Sequence, residues 1–504
     1  MKTYTRLWWL AVAMTVAMVA TACTVGPDYK QPDMPMPEQF SELGSATQPT
    51  TQSVTRPTTQ PISADQPPAD YQAWWTTFND AKLNSLIDRA VAGNLDITAA
   101  LNRILEARAQ RGVVASGLFP QIDANGSYTY SRFSSNIPGL SAISGAFNGS
   151  GAAPGAPALT YGLWQSGLDA TWEIDIFGGT RRGIEAATYN LQASVDDLRD
   201  VQITLLAEVA VDYIELRGAQ FQLDIAQHNL ASQQQTLALT RSRAEGGLIP
   251  YLNVAQQEAQ VATTAATIPS FETEIRQSIH HLSILLGVDP GALSGELSAA
   301  GPIPVGPTSV PPGIPSELLR RRPDVRRAER QLAAATAQIG VATADLFPKF
   351  SVTGALGTEA GTFKQLFDYS SRFYNIAPGV TWDIFDAGKV DSNIKVQNAR
   401  QAEALAAYRK AVLQSMSDVD DALVACNREQ VRLQALRDAV AANERSVELS
   451  TELFEKGSTD FLSVLDAQRD LFAAQTSMAQ SEQQVSADFV ALYKALGGGW
   501  SESK

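Results

Sequence analysis

The 504-residue chain carries 39 Lys and Arg against 53 Asp and Glu, a formal charge of −14, which excludes wholesale nucleic-acid binding. Its apolar fraction of 44% is that of a folded protein, and two cysteines exclude a disulfide framework. Past the N-terminus no run of about 20 apolar residues exists, so any membrane crossing falls to strands.

Lys2 and Arg6 precede an apolar run from Leu7 to Ala22, the pattern of an export signal over residues 1–22. Ala20-Thr21-Ala22-Cys23 has the form of a lipoprotein cleavage box, which makes Cys23 the lipidated first residue; an ordinary signal peptide cut elsewhere is the alternative. Thr24 in place of Asp after that cysteine implies forwarding to the outer membrane. Without Lys2 and Arg6 the mature chain keeps 37 basic groups (39 − 2) against 53 acidic ones, or −16. Residues 23–70 interleave Pro32, Pro35, Pro37, Pro49, Pro57, Pro61, Pro67 and Pro68 with Thr, Gln and Ser. Such a composition buries too little to offset ordering, so an extended or disordered tether is expected.

One pattern then occurs twice, at 71–290 and 315–497, joined by a Gly- and Pro-rich linker at 291–314 and followed by a tail at 498–504. Leu95-Asp96-Ile97 and Leu118-Phe119-Pro120 return as Pro323-Asp324-Val325 and Leu346-Phe347-Pro348, both 228 residues on. Asp175-Ile176-Phe177 returns as Asp383-Ile384-Phe385 at 208, and Leu286-Gly287 as Leu496-Gly497 at 210. The 20-residue drop is explained by a Gly/Ser/Ala/Pro loop, Ser134 to Thr160, in the first copy. A repeat of this kind overrides length as a guide to architecture. Each copy reads helix, strand, loop, strand, very long helix, tight tip, returning helix.

The strands alternate with period two. Ile122, Ala124, Gly126, Tyr128 and Tyr130 oppose Gln121, Asp123, Asn125, Ser127 and Thr129. Trp164, Leu168, Ala170, Trp172, Ile174 and Ile176 oppose Gln165, Asp169, Thr171, Glu173 and Asp175. The second copy offers Phe350, Val352 and Leu356, then Tyr374, Ile376, Val380, Trp382 and Ile384. Apolar-out, polar-in strands of this length suit an outer-membrane barrel, of which the smallest have about eight strands. Four strands cannot close one, and open edges in lipid leave backbone groups unpaired, so copies must share a wall. Two copies supply eight strands and three supply twelve; periodicity does not choose between them.

Leu405, Val412, Val419, Cys426, Leu433, Val440, Val447 and Phe454 recur every seven residues, a coiled-coil seam. Subtracting 210 gives Val195, Gln202, Val209, Leu216, Leu223, Leu230, Leu237 and Ala244. The first long helix, about Arg181 to Gly246, spans roughly 100 Å at 1.5 Å per residue, several bilayer thicknesses. The returning helix, Leu252 to Leu286, contains Pro269 and should kink there; its counterpart is Ala479.

Cys23-Thr24-Val25-Gly26-Pro27-Asp28-Tyr29, Ile174-Asp175-Ile176-Phe177-Gly178, the run Pro315 to Val325 and Val464-Leu465-Asp466-Ala467-Gln468-Arg469 resemble the TolC-like outer membrane factors. The resemblance is to the lipoprotein branch serving tripartite efflux systems. It implies a mainly α fold with a membrane β-barrel: duplicated coiled-coil hairpins plus four strands per chain, joined as a homotrimer into an α-barrel/β-barrel tube. It also implies a passive exit duct in the outer membrane lipid, fed by an inner-membrane RND-type transporter through a periplasmic adaptor. The tips, with Arg243, Gly246, Gly247 and Leu248 in one copy and Gly457 and Ser458 in the other, become the adaptor-docking surface. Helix caps account for the glycines equally. Asp466 and Arg469 become the periplasmic aperture, an acidic ring around the axis; a surface i,i+3 ion pair is the plainer reading. Ser463 and Thr459 stand where TolC has a second aspartate and an arginine, which removes those contacts.

Catalysis finds little support. His228 is solitary, and His280 and His281 lie about 100° apart on a helix, unsuited to shared metal ligation. Arg320, Arg321, Arg322, Arg326, Arg327 and Arg330 read as a solvated helix start paired with Asp324 and Glu329. No enzyme activity, cofactor or metal is expected. The exit of a type I protein secretion system and a non-conducting periplasmic coiled coil are the alternative functions.

Overall fold

A computed structural model describes residues 24–41, 71–132, 160–307 and 315–500. The signal segment, Cys23, most of the Thr/Pro-rich stretch and the first-copy loop lie outside the described residues. Two compact units emerge: Met1–Lys30, Glu106–Leu191 and Gln331–Ala404 form the first, and Gln31–Leu105, Gln192–Arg330 and Leu405–Lys504 the second.

The helices are α1 (Ala81–Gly93), α2 (Leu95–Ser116), α3 (Gly179–Glu245), α4 (Tyr251–Leu285), α5 (Ser294–Leu297), α6 (Pro315–Arg321), α7 (Pro323–Ala344), α8 (Lys389–Glu455) and α9 (Phe461–Ala495). The strands are β1 (Gln121–Arg132), β2 (Thr160–Ile174), β3 (Lys349–Ala360) and β4 (Arg372–Thr381). The duplication is close to exact in length: α3 and α8 have 67 residues each, and α4 and α9 have 35 each.

In the first unit the strands form one antiparallel sheet in the order β1-β2-β3-β4. The register places the whole alternation on common faces. Ile122 lies opposite Ala170, Ala124 opposite Leu168, and Tyr128 opposite Trp164. Trp172 lies opposite Val352 and Ile174 opposite Phe350; Leu356 lies opposite Tyr374 and Phe350 opposite Val380. One face is therefore apolar across four strands. The other carries Asp123, Asn125, Gln165, Asp169, Glu173, Ser351, Thr353 and Glu359. The apolar side chains are exposed: Ile122 at 64%, Tyr374 at 85% and Ile376 at 72%.

Ile176, Trp382 and Ile384, expected within strands, lie just past their ends. A tryptophan near each junction ties the strand to the preceding Leu-Phe-Pro motif. Trp172 Nε1 donates to the Leu118 carbonyl at 3.0 Å, and Trp382 Nε1 to the Leu346 carbonyl at 3.1 Å, the same contact in each copy. Asp175 then accepts from the Arg181 backbone N–H at 2.9 Å and starts α3. Phe177 of the first Asp-Ile-Phe motif stacks on Phe347 of the second Leu-Phe-Pro motif, with centroids 4.6 Å apart.

The stretch expected to be a slack tether is extended but docked over residues 24–41. In the first unit the Val25 N–H donates to the Phe177 carbonyl at 3.1 Å. The buried Arg182 guanidinium donates to the Val25 and Gly26 carbonyls and pairs with Asp28 at 2.6 Å. Gly26, at φ +91°, lies so close to Gly340 that a Cβ would sit 2.4 Å from its Cα. In the second unit Phe40 is buried and Ser41 donates to Asp420 at 2.8 Å. Composition predicted the missing secondary structure; the docking depends on partners far along the chain.

The second unit holds the main apolar core. Asp80 caps α1 by accepting from the Lys82 and Leu83 N–H groups. Leu83, Leu86, Ile87 and Ala90 of α1 then form a buried stripe at helical spacing. This packs with Trp74, Leu206, Tyr213 and Phe489, with Trp74 stacked on Tyr493 at 5.3 Å. Six of the eight heptad positions of α8, Val412, Val419, Cys426, Leu433, Val440 and Phe454, are buried, and Leu405 and Val447 are half-buried. Burial holds the Cys426 thiol protonated, its pKa pushed up to about 12.

Of the α3 ladder only Val209, Leu216 and Ala244 are buried, and Val195 and Gln202 are half-buried. Leu223, Leu230 and Leu237 are half-buried, and the buried positions become Ala226, Gln233, Thr236 and Thr240. This stripe faces buried glutamines on α4 and α9. Helix α4 runs unbroken through Pro269, flanked by hydroxyls of Thr267 and Thr273 bonded to the carbonyls of Thr264 and Pro269.

Candidate functional site

The tips are built identically. At the end of α3 the Leu248 N–H donates to the Arg243 carbonyl at 2.9 Å and the Gly247 N–H to the Ala244 carbonyl at 3.0 Å. At the end of α8 the Ser458 N–H donates to the Leu453 carbonyl at 2.8 Å and the Gly457 N–H to the Phe454 carbonyl at 2.9 Å. These are paired Schellman caps, with Gly247 and Gly457 both at φ +71°. Open space surrounds both glycines, so the positive φ alone selects them. Gly246 has no such demand and ends α3 through a bond to the Ser242 carbonyl.

Arg243 is spent inside the chain. It donates to the Phe454 carbonyl at 2.5 Å and to the Glu455 carbonyl, and its guanidinium lies 4.8 Å from the Phe454 ring. It thereby neutralises the carbonyl end of α8 and joins the two tips. The outward-facing groups are Leu248 at 73% exposure, Tyr251, Leu252 and Ser458. Beneath them Phe454, Phe461, Val464 and Leu465 form a small apolar plug.

Asp466 and Arg469 are both exposed, and their charged groups are 4.0 Å apart. Arg469 points its Nε at Gln260 Oε1, 2.8 Å away on α4. The Asp466 carboxylate is thus weakly compensated, which is what a charged wall requires.

Sequence reasoning missed the polar seam behind these residues. Gln468 donates to Thr236 Oγ1 at 2.8 Å, and Gln257 donates to the Gln233 carbonyl at 2.9 Å. Asn229 donates to Gln475 Oε1 at 2.7 Å. Gln468 and Gln475 are one heptad apart, so the seam is written in the sequence as a polar ladder, which an apolar period does not reveal. Both amide atoms of the buried Gln233 side chain lack a partner.

The arginine-rich start of α7 reaches further than expected. Arg322 pairs with Asp324 at 2.7 Å and Asp418 at 2.8 Å, and Arg321 pairs with Glu317 at 2.7 Å. Arg326 and Arg327 turn to Asp196 and Asp197 of α3, at 3.3 and 2.5 Å. These helix-to-helix partners are not encoded by local spacing. His281 Nδ1 lies 2.7 Å from Asp212 of α3. Burial pushes the Asp212 carboxyl up to about 6, His281 pulls it down, and Glu215 and Glu208 add to the rise. His228 bonds the Asp224 carbonyl one turn back.

With these features established, likeness to known proteins becomes specific. The family model for outer membrane efflux proteins matches residues 86–288 and 314–498. The toluene efflux pump outer membrane protein TtgF of Pseudomonas putida is 30% identical, covering 99% of this chain and 98% of that one. The probable outer membrane lipoprotein SilC of Salmonella typhimurium is 28% identical over 97% and 98% of the two chains. The solved structure of the outer-membrane channel OprN superposes with a TM-score of 0.83 at 33% identity, over 95% of this chain and all of that one. The chain belongs to the outer membrane efflux protein family, whose members are channels of the outer membrane.

Proposed function

We propose that this protein is the exit duct of a tripartite efflux system, passively conducting small molecules driven by an inner-membrane transporter through a periplasmic adaptor. One observation carries the reading: a four-stranded sheet has one exposed apolar face, one polar face, and two different unpaired edges, β1 and β4. In lipid both edges must be paired. Joining β1 of one copy to β4 of the next is a head-to-tail contact, which closes into a ring. The helices attached to those edges agree. Among the described residues of α2 only Ala100 is buried, and Leu101, Leu105 and Val113 are exposed. Val396 and Leu413 of α8 are exposed as well.

Three copies, the number the family resemblance implies, give a twelve-stranded barrel with its polar face inward. The long helices, 67 residues each and roughly 100 Å at 1.5 Å per residue, have the length that the family resemblance assigns to the periplasmic part of the duct. The pinned strap behind Cys23 starts beside Phe177, at the strand–helix junction, where a lipid on Cys23 would meet the membrane surface. Asp466 from each copy rings the closed end, and the tip residues Gly246, Gly247, Leu248, Gly457 and Ser458 receive the adaptor, with Arg243 bracing them from within. Native mass spectrometry of detergent-extracted protein, followed by single-channel recording in planar bilayers, tests this. A trimer that conducts is expected; a stable monomer, or a trimer that never conducts even with Asp466→Ala, overturns it.

A further inference from the structure

We infer that the rim of the sheet remote from the helices binds the phosphate groups of an outer-leaflet glycolipid. Arg132 and Arg372 are the residues that hold it. The inference rests on the ring of copies proposed above and adds a ligand to its outer wall.

The sheet register identifies the site. β1 and β3 leave the helices at Gln121 and Lys349, so Arg132, Thr160, Ala360 and Arg372 lie at the far end. Arg132 pairs with Thr160, two positions beyond Tyr130 opposite Gly162, and so shares the apolar face. Arg372 pairs with Thr358, two positions beyond Tyr374 opposite Leu356, on that same face. Among the described strand residues these two are the charges on the apolar face. Asp123, Asp169, Glu173, Lys349 and Glu359 all fall on the polar one.

A guanidinium on the lipid-facing side is costly at mid-bilayer and costs close to nothing at the headgroup level. Placing both arginines at the far end, with none at the helical end, puts them where the cost vanishes and anionic headgroups lie. The surroundings agree. Tyr128, Trp164, Phe363 and Phe367 form a continuous chain of ring contacts at 4.5, 5.1 and 5.7 Å, an aromatic girdle just inside the rim. Arg372 lies 4.7 Å above the Tyr369 ring. Lys364 is exposed in the same β3–β4 loop, and Asp368 is the one acid there. Neither arginine has a carboxylate partner among the described residues.

The arginines sit on opposite edges of one chain's sheet. Closing the ring brings the β1 edge of one copy to the β4 edge of the next, so each junction carries one outward-facing arginine on either side. A planar guanidinium fork matches the oxygens of a phosphomonoester, a pairing that an exposed lysine does not reproduce. Phosphate is the shared chemistry, and a glycolipid rather than free phosphate is the source, because the site faces lipid and continues the apolar band.

Native mass spectrometry tests this on the full-length protein in detergent, titrated with diphosphoryl lipid A, with dephosphorylated lipid A, and with inorganic phosphate. Up to three diphosphoryl lipid A molecules per trimer are expected, with neither comparison ligand retained. Arg132→Gln/Arg372→Gln should weaken retention about tenfold, the loss of roughly one charge-assisted contact pair. Arg132→Lys/Arg372→Lys should restore part of it. A trimer retaining lipid A equally in the Gln double variant, or retaining the dephosphorylated lipid equally, overturns the glycolipid rim and leaves the ring standing. A monomer overturns both.

Discussion

At the scale of single residues, Asp212 shows how burial and charge compete. Its carboxyl is pushed up to about 6 chiefly by burial, against the pull of His281. A raised carboxyl pKa contributes stability that is complete below the unfolded value near 3.9 and lost as pH rises through about 6. Asp212→Asn removes that loss. The variant is therefore expected to melt a few degrees above the parent at pH 8, with the gap closing by pH 4, in calorimetric scans. A variant melting lower at pH 8 would mean the His281 contact outweighs the burial. Arg243 carries a second residue-level lesson. Its place in the tip was legible, yet its bonds to the Phe454 and Glu455 carbonyls were not, because the partners lie more than 200 positions away.

At the scale of elements, the polar seam sets the two hairpins apart from ordinary coiled coils. An apolar ladder drives association; glutamines in the same positions fix register at a cost in stability. Gln233 bears that cost most plainly, with both amide atoms buried and unpaired. Its backbone carbonyl, not its side chain, accepts from Gln257. Gln233→Leu should then stabilise the protein by about 1–3 kcal/mol, the usual penalty of an orphaned buried polar group, seen as a rise in the denaturation midpoint. A fall would show that the amide has a partner in the assembled ring. Strand alternation, helix length and tip glycines were all readable, since each follows from a local period or a backbone angle. The seam was not, since burial in α3 moves from the leucine row to the Gln233 row only when α4 and α9 pack on it.

At the scale of the whole molecule, the sheet and the helices give the same result: two uncovered edges on each chain. Heptads, duplicated motifs and a four-strand count made that result legible in the sequence before any coordinates. Which helix faces stay open was not legible, because α2 and α7 have matching motifs, yet α2 buries only Ala100 among its described residues while α7 buries Val325, Leu332 and Ala337. In the ring proposed above, Asp466 carboxylates brought to the axis would repel one another and favour cations. Asp466→Ala is expected to raise single-channel conductance and weaken cation preference, read from current and reversal potential under a salt gradient. Identical currents in parent and variant across pH and ionic strength would remove Asp466 from the aperture.

Phe40 is buried in the same core as Trp74, with Tyr71 packed against it. The described residues on both sides of positions 42–70 thus belong to one packed centre, so an insertion between them lengthens a connection whose two ends are held. Lengthening such a connection is thermodynamically cheap, about 0.6 kcal/mol for each doubling. An epitope or fluorophore spliced near Thr55 should therefore be carried without disturbing either the anchor upstream or the duct downstream, which offers a handle for following assembly in living cells.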